Sequence, residues 1–247
     1  RGVGYPVTLR NNKWIDIGSL TLFVAFELLS LPLYSLAAIE NFRLTGKRLY
    51  ESYALSRLSS IHRRRGMYDE AEDAALRAKV VREELRDRRG TAASLLTLAD
   101  IAHDRGDLTR SLQFALEARD IATEIDDQDV MVDALSTMAK AELALGRPRD
   151  AAARYAAAEA IASSHEDRMN AFGARYGLAR AWIAMGDYDG ARAIADELIM
   201  ESVDAGRLRE ETAGHNLYAE IHMTRGEWSD AIAALDLVVE IAHNIGD

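Results

Sequence analysis

The sequence of 247 residues contains no cysteine and only 3 prolines. Without cysteine there is no disulfide framework, thiolate metal site or thiol chemistry, and this composition is compatible with the cytoplasm, where we expect the protein. Basic residues are also fewer than acidic ones, and the formal net charge is −10. An acidic chain repels a phosphate backbone, so we predict no direct nucleic-acid binding by residues 47–247.

Catalytic and metal-binding signatures are missing as well. The sequence has no Gly-x-Ser-x-Gly elbow, no phosphate-cradling glycine loop and no His-Glu-x-x-His motif. The acidic run at 126–129 lacks the central glycine and terminal glutamate of a calcium loop, and helix-capping carboxylates are its ordinary explanation. We therefore predict no enzyme, no cofactor and no metal site in this segment.

What the sequence does contain is a glycine every forty residues, with small residues at fixed positions around it. The glycines are Gly66, Gly106, Gly146, Gly186 and Gly226. The small residues before them are Ser59, Ala99, Ala139, Ala179 and Ala219, and those after them are Ala71, Ser111, Ala151, Ala191 and Ala231. Small residues on both sides of a turn let two antiparallel helices pack closely, and each such hairpin must stack on its neighbours to bury its apolar face.

The residues beside each glycine favour the same turn. Glycine suits the left-handed position just past a helix C-terminus. Arginine precedes it at 65, 105 and 225, which complements the negative end of the first helix. Acidic residues follow at 107, 187 and 227, and Pro148 stands where a first helical residue is expected. Each repeat is therefore predicted to be a helix, a glycine turn and a second helix.

This pattern resembles the tetratricopeptide repeat (TPR) family over residues 47–247. The glycines correspond to the small residue that ends the family's helix A, and Ala71 and its equivalents to the small residue early in helix B. Ala78, Ala118 and Ala158 match the later helix-B alanine, from which Leu198 and Val238 depart. The forty-residue unit is longer than the family's usual one and lacks its late proline, as in the longer variant of signalling scaffolds and bacterial regulators.

The resemblance implies an all-α fold, an α–α superhelix. We expect a right-handed TPR solenoid of about five helix-turn-helix repeats, at 47–86, 87–126, 127–166, 167–206 and 207–247, behind an N-terminal segment at 1–46.

The N-terminal segment, residues 1–46, has its own pattern. Residues 7–10 and 13–17 flank Asn11-Asn12 and predict a short hairpin. Residues 1–5 resemble the closing strand of a winged-helix domain of bacterial response regulators, but so short a match does not exceed chance. Residues 20–39 are mostly apolar, yet Glu27 and Pro32 argue against a membrane helix and favour capping helices. Gly46 stands directly after residues 28–45, where a turn glycine would follow a helix. This stretch is therefore a candidate second helix of a degenerate repeat.

The resemblance also implies a binding surface, because the inner faces of the A helices line a concave groove in TPR superhelices. The corresponding residues are Ser60, Arg63, Asp100, His103, Ser136, Lys140, Leu143, Tyr176, Arg180, Ile183, Asn216, Glu220 and Met223, with Ser56 and Leu96 in the same register. Cations at 140 and 180 and apolar groups at 143, 183 and 223 suit a peptide with an acidic group and apolar anchors. The set does not reproduce the family's carboxylate-binding residues, so a chaperone C-terminus is not the expected partner.

An alternative for this surface stays open. Asp100 is placed to pair with Lys140, and Arg180 with Glu220, across neighbouring helices, which would leave a solvated face. Surface pairs contribute only about 0–1 kcal/mol, so a ligand could still compete with them.

The leading function hypothesis is the ligand- or partner-sensing TPR part of a larger bacterial signalling or transcriptional regulator, resembling STAND-type ATPase regulators or related transcription factors. The alternatives are a structural adaptor in a multiprotein assembly, and an accessory domain of an enzyme whose catalytic part lies outside this segment. Because the sequence begins at Arg1, we expect a piece of a longer chain. The high content of Ala, Arg and Asp in the sequence suggests a high-GC bacterial source.

The last predicted helix is apolar on more than one face. Its apolar residues are Ala231, Ile232, Ala234, Leu235, Leu237, Val238, Val239, Ile241 and Ile245. One neighbouring hairpin cannot bury all of them. We expect either a further helix or a homo-oligomer contact at this end.

Overall fold

The computed structural model describes residues 32–204 and 206–246, and within these ranges it contains only helices and turns. The eleven described helices are α1 (Pro32–Leu44), α2 (Arg48–Arg64), α3 (Tyr68–Glu84), α4 (Arg88–Arg105), α5 (Leu108–Ile125), α6 (Gln128–Ala144), α7 (Pro148–Ser164), α8 (Arg168–Met185), α9 (Tyr188–Asp204), α10 (Leu208–Arg225) and α11 (Trp228–Gly246). The predicted all-α class is confirmed, with five helix pairs after residue 47. The hairpin predicted at 7–17 lies outside the described residues.

The chain divides into two compact units, residues 1–81 and residues 82–247. In the first, α1 packs on α2, and together with residues of α3 up to Val81 they enclose a core. Its buried residues are Ala38, Ile39, Phe42, Ala54, Leu55, Leu58, Ala74, Ala78 and Val81. Helix α1 lies within the segment 28–45 that the glycine spacing assigns to a degenerate repeat. Among the described helices, none combines the length and apolar character needed to span a bilayer.

In the second unit, α4 to α11 pack as successive pairs. The five predicted turn glycines of the two units all have positive φ, between 72° and 89°. At Gly106, for example, the next N–H, from Asp107, donates to the Ala102 carbonyl at 2.8 Å. This left-handed turn satisfies carbonyls that the helix end leaves open. Glycine is required there because a side chain would strain the backbone.

A second set of turns connects one pair to the next. Arg86, Asp126 and Glu166 adopt positive φ between 52° and 58°, and Gly206 takes the equivalent position at 66°. Each of the three non-glycine residues precedes an aspartate whose carboxylate accepts a backbone N–H of the next A helix, at 2.8 to 3.1 Å. The acidic run 126–129 thus contains a helix cap at Asp127, as predicted.

The small residues beside the glycine turns are all buried, with at most 2% of their surface exposed. In the first pair, Ser59 Oγ donates to the Ala71 carbonyl at 2.8 Å, which shows how closely the two helices approach. An ion pair of the same sequence spacing joins α6 to α7, where Arg154 Nε donates to both carboxylate oxygens of buried Glu142 at 2.7 Å. A buried hydroxyl contact in one pair and a charge pair in another thus help to hold the B helix against its A helix.

Candidate functional site

A groove of about 410 Å³ lies between α4, α6 and α8, and we call it the central groove. It is lined by Leu96, Thr97, Asp100, Asp133, Ser136, Thr137, Lys140, Tyr155, Asn170, Gly173 and Ala174. Three successive A helices supply all of these residues except Tyr155, which reaches in from α7. The groove lies wholly within the second unit.

Helix α6 provides the middle wall because its polar residues share one face. Asp133, Ser136, Thr137 and Lys140 follow the spacing of residues that lie above one another on a helix. Residues on the other faces, such as Met138, are fully buried in the unit's core. The same amphipathic pattern that packs α6 therefore presents its polar residues to the groove.

Two glycines of α8 shape the opposite wall. A Cβ at Gly177 would lie 2.3 Å from Tyr155 Cε1, so the absence of a side chain makes room for the buried ring. Burial raises the pKa of Tyr155 to about 12. A Cβ at Gly173 would meet nothing within 4 Å. The space beside Gly173 is open, and this opening is part of the groove.

Both predicted cross-repeat ion pairs are present. Lys140 Nζ lies 3.4 Å from Asp100 Oδ1, and Arg180 Nε lies 3.1 Å from Glu220 Oε2. Each pair joins equivalent positions of neighbouring A helices. Because all four side chains keep contact with solvent, we assign each pair only about 0–1 kcal/mol.

Asp133 differs from these paired residues. Within the part of the chain that the structure describes, no hydrogen bond or ion pair reaches its carboxylate. The nearby Arg89 is held by Asp127 and Asp129 instead, at 3.2 and 2.7 Å. Although the Asp133 side chain is exposed, partial loss of hydration against the groove walls raises the pKa of Asp133, and repulsion from Asp129 and Asp167 adds to this.

Comparison with protein-family models identifies the repeats. Residues 50–124 and residues 142–210 each match a tetratricopeptide repeat model, and together these segments make up more than half of the chain. The chain belongs to the tetratricopeptide repeat family. This fold serves as a scaffold for protein interaction and is generally non-catalytic. A comparison with curated protein sequences gave no match.

Solved TPR structures share the fold at low sequence identity. BtubC from P. vanneervenii is 16% identical, with 87% of this chain and 91% of that chain covered and a TM-score of 0.73. A Rap protein complexed with competence and sporulation factor is 14% identical, with 93% and 74% covered and a TM-score of 0.66. A STAND protein with a tetratricopeptide repeat sensor, from Pyrococcus horikoshii, is 17% identical, with 90% and 35% covered and a TM-score of 0.66.

Of the residues that the TPR resemblance assigned to a binding surface, Asp100, Ser136 and Lys140 line the central groove, and so does Leu96. The other members in the second unit lie outside it: His103, Leu143, Tyr176, Arg180, Ile183, Asn216, Glu220 and Met223. Ile183 requires a correction, because it is only 5% exposed and packs in the core, so it cannot serve as an apolar anchor. Ser60 and Arg63, both half-buried, belong to the first unit.

Several groove residues were not predicted from the sequence. Asp133 and Thr137 could have been found by extending the helix face of Ser136 and Lys140 by one turn. The sequence pattern does not indicate Tyr155, because this residue stands on a B helix. Its ring reaches the groove because Gly177 has no side chain that would clash with it.

A separate polar cluster lies at the turn between α10 and α11. Ligand atoms of His222, Glu227 and Asp230 lie within 4.8 Å of one another. The Glu227 carboxylate already accepts contacts from His222 Nδ1 at 2.7 Å and Arg225 Nη2 at 2.8 Å. The guanidinium occupies the place where a metal cation would be attracted, so we assign this cluster to the turn and not to a metal site.

Proposed function

We propose that this TPR array is a protein- or peptide-interaction module whose binding site is the central groove. The observation that carries the proposal is the groove itself, with hydroxyl and amide groups, a few charges, an aromatic ring and open space at Gly173 on three successive A helices. Polar groups that converge on a partly apolar hollow are typical of recognition sites.

The finer proposal is that the chain senses a ligand or partner for a larger bacterial signalling or transcriptional regulator in the cytoplasm. The names of two structural neighbours support it, since one is a STAND protein whose repeats are called a sensor and the other is a Rap protein complexed with competence and sporulation factor. A structural adaptor is the second candidate, favoured by the exposed apolar residues of α11.

Filling the groove tests the site. The protein is used to select binders from a phage-displayed library of random peptides, and the enriched peptides are then titrated against Gly173→Phe. The new side chain enters open space and should not disturb the helix, so we expect binding to be lost while the melting temperature is kept.

The matched control is Ala157→Phe, which adds the same side chain at an exposed position of α7. It should bind the selected peptides as the wild type does. Peptides that bind both variants equally would place the interaction surface outside the central groove. Failure of the wild type to enrich any peptide would favour the adaptor.

A further inference from the structure

The charges of the central groove are not equally available to a ligand. Lys140 is engaged by Asp100, and Arg180, outside the groove, by Glu220. Among the described residues no cation forms an ion pair with Asp133, because Arg89, which offsets its charge only in part, is held by Asp127 and Asp129. The uncompensated charge of the groove is therefore negative. It would repel the acidic ligand group that the sequence led us to expect from Lys140 and Arg180.

We propose that the central groove binds a cationic side chain, arginine or lysine, of a partner peptide, with Asp133 as its counter-charge. This inference rests on the proposed function and specifies the partner of the same site. A cation beside Asp133 would form an ion pair that the described part of the chain does not supply, and charge-assisted hydrogen bonds of this kind are the stronger ones.

The surroundings of Asp133 favour a cation for a second reason. Asp129 on the same helix, Asp100 on α4 and Asp167 at the start of α8 all repel the charged Asp133 carboxylate, and Arg89 offsets only part of this effect. An acidic ligand group would be repelled by these carboxylates and would share Lys140 with Asp100. A basic group meets attraction from each of these carboxylates.

The shape and the walls of the groove match a long basic side chain. Arginine and lysine carry an apolar stem behind the charged group, and the stem is stabilised by apolar surface. Leu96, Ala174 and the Tyr155 ring provide such surface within the same 410 Å³ hollow. An aromatic ring also attracts a cation that approaches its face. Open space at Gly173 leaves room for the peptide backbone.

The test begins with the same displayed random peptides, selected in parallel on the wild type, on Asp133→Asn and on Asp236→Asn. Asp236 is an exposed carboxylate of α11, so its variant makes the same change in net charge away from the groove. We expect arginine or lysine to be enriched at one position with the wild type and Asp236→Asn, and the enrichment to be lost with Asp133→Asn.

A synthetic pair of peptides then isolates the charge. The best wild-type binder is compared with copies in which the enriched arginine is replaced by citrulline, or the enriched lysine by norleucine. The neutral copy should bind the wild type about tenfold more weakly or worse, and Asp133→Asn should bind both copies alike. Whether arginine or lysine is preferred follows from exchanging one for the other.

The outcomes separate this inference from the proposed function. Enriched peptides without a basic residue, or a neutral copy that binds the wild type as well as the charged one, would overturn the cationic partner and leave the groove as a binding site. A second result would overturn the role of Asp133 alone. In this result Gly173→Phe loses binding, but Asp133→Asn prefers the charged peptide over the neutral copy as strongly as the wild type does. Absence of any binder to the wild type would overturn both proposals.

Discussion

At the scale of single residues, the central groove depends on positions where a side chain is missing or lacks a partner. Gly177 makes room for the Tyr155 ring, and Gly173 leaves space open to a ligand. Asp133 carries a charge that the described part of the fold leaves unpaired.

Replacing each of two glycines of α8, Gly177 and Gly173, by alanine should change the free energy of unfolding in opposite directions. Gly177→Ala places a methyl group against the Tyr155 ring and should lower the free energy of unfolding by about 1–3 kcal/mol. Gly173→Ala meets no atom and should raise it by about 0.5–1 kcal/mol, because alanine favours the helix. Urea unfolding of both variants measures this, and equal effects would contradict the packing of Tyr155.

Asp133 should make stability depend on pH. Partial loss of hydration and the charges of Asp129, Asp167 and Asp100, only partly offset by Arg89, raise the pKa of Asp133 in the folded chain. Between the unfolded and folded values the folded chain binds more protons, so ionisation of Asp133 lowers the free energy of unfolding as pH rises through this window.

We therefore expect Asp133→Asn to melt at a higher temperature than the wild type at neutral pH. The difference should vanish once the pH falls below the ordinary value near 3.8. Thermal melts across this range measure it, with Asp236→Asn as the control. A variant that is less stable than the wild type at neutral pH would show that Asp133 has a stabilising partner.

At the scale of helices, each pair is held by small residues on both sides of its glycine turn. Ala151 and Ala191 are fully buried there, whereas Ala157 is exposed on α7. The core around these alanines is close-packed, so added volume cannot be accommodated without moving a helix.

Enlarging the buried alanines should therefore destabilise the protein. Ala151→Leu or Ala191→Leu is expected to cost about 1–3 kcal/mol through overpacking. Ala157→Leu, the control on the exposed side, should change the melting temperature little. Similar losses at the buried and exposed positions would mean that α7 is turned differently about its axis.

At the scale of the whole molecule, the last helix has more apolar surface than its neighbour covers. Trp228, Ile232, Leu235, Leu237 and Val239 are all exposed, Ile232 by 60%, whereas Ala231, Ala234 and Ile241 are buried. A contiguous apolar surface of this kind is typical of an interaction site.

We expect the 247-residue chain to associate through α11. Ile232 and Val239 lie two turns apart on one face, so Ile232→Glu with Val239→Glu should give a monomer of unchanged helicity and stability. Sedimentation measures the size, and Met169→Glu, at an exposed residue of α8, is the control. A wild type that stays monomeric at high concentration would contradict this expectation.

The repeat could be predicted from the sequence because its determinants are local. A glycine after the helix end, an acidic cap and small residues near the turn specify a helix pair within about forty residues of chain. The polar face of α6 follows from the helical period alone. Even the pairing of Asp100 with Lys140 was foreseeable, because the period places them at the same position of neighbouring helices, but the sequence left it as one of two alternatives.

The fold class and the turn glycines followed from the sequence alone, since each depends on residues close in the chain. The tertiary structure decided that Ile183 is buried, that Tyr155 enters the groove past Gly177 and that Asp133, rather than Lys140, carries the uncompensated charge. These properties depend on how one helix lies against another and on which charges meet, and no single repeat contains that information.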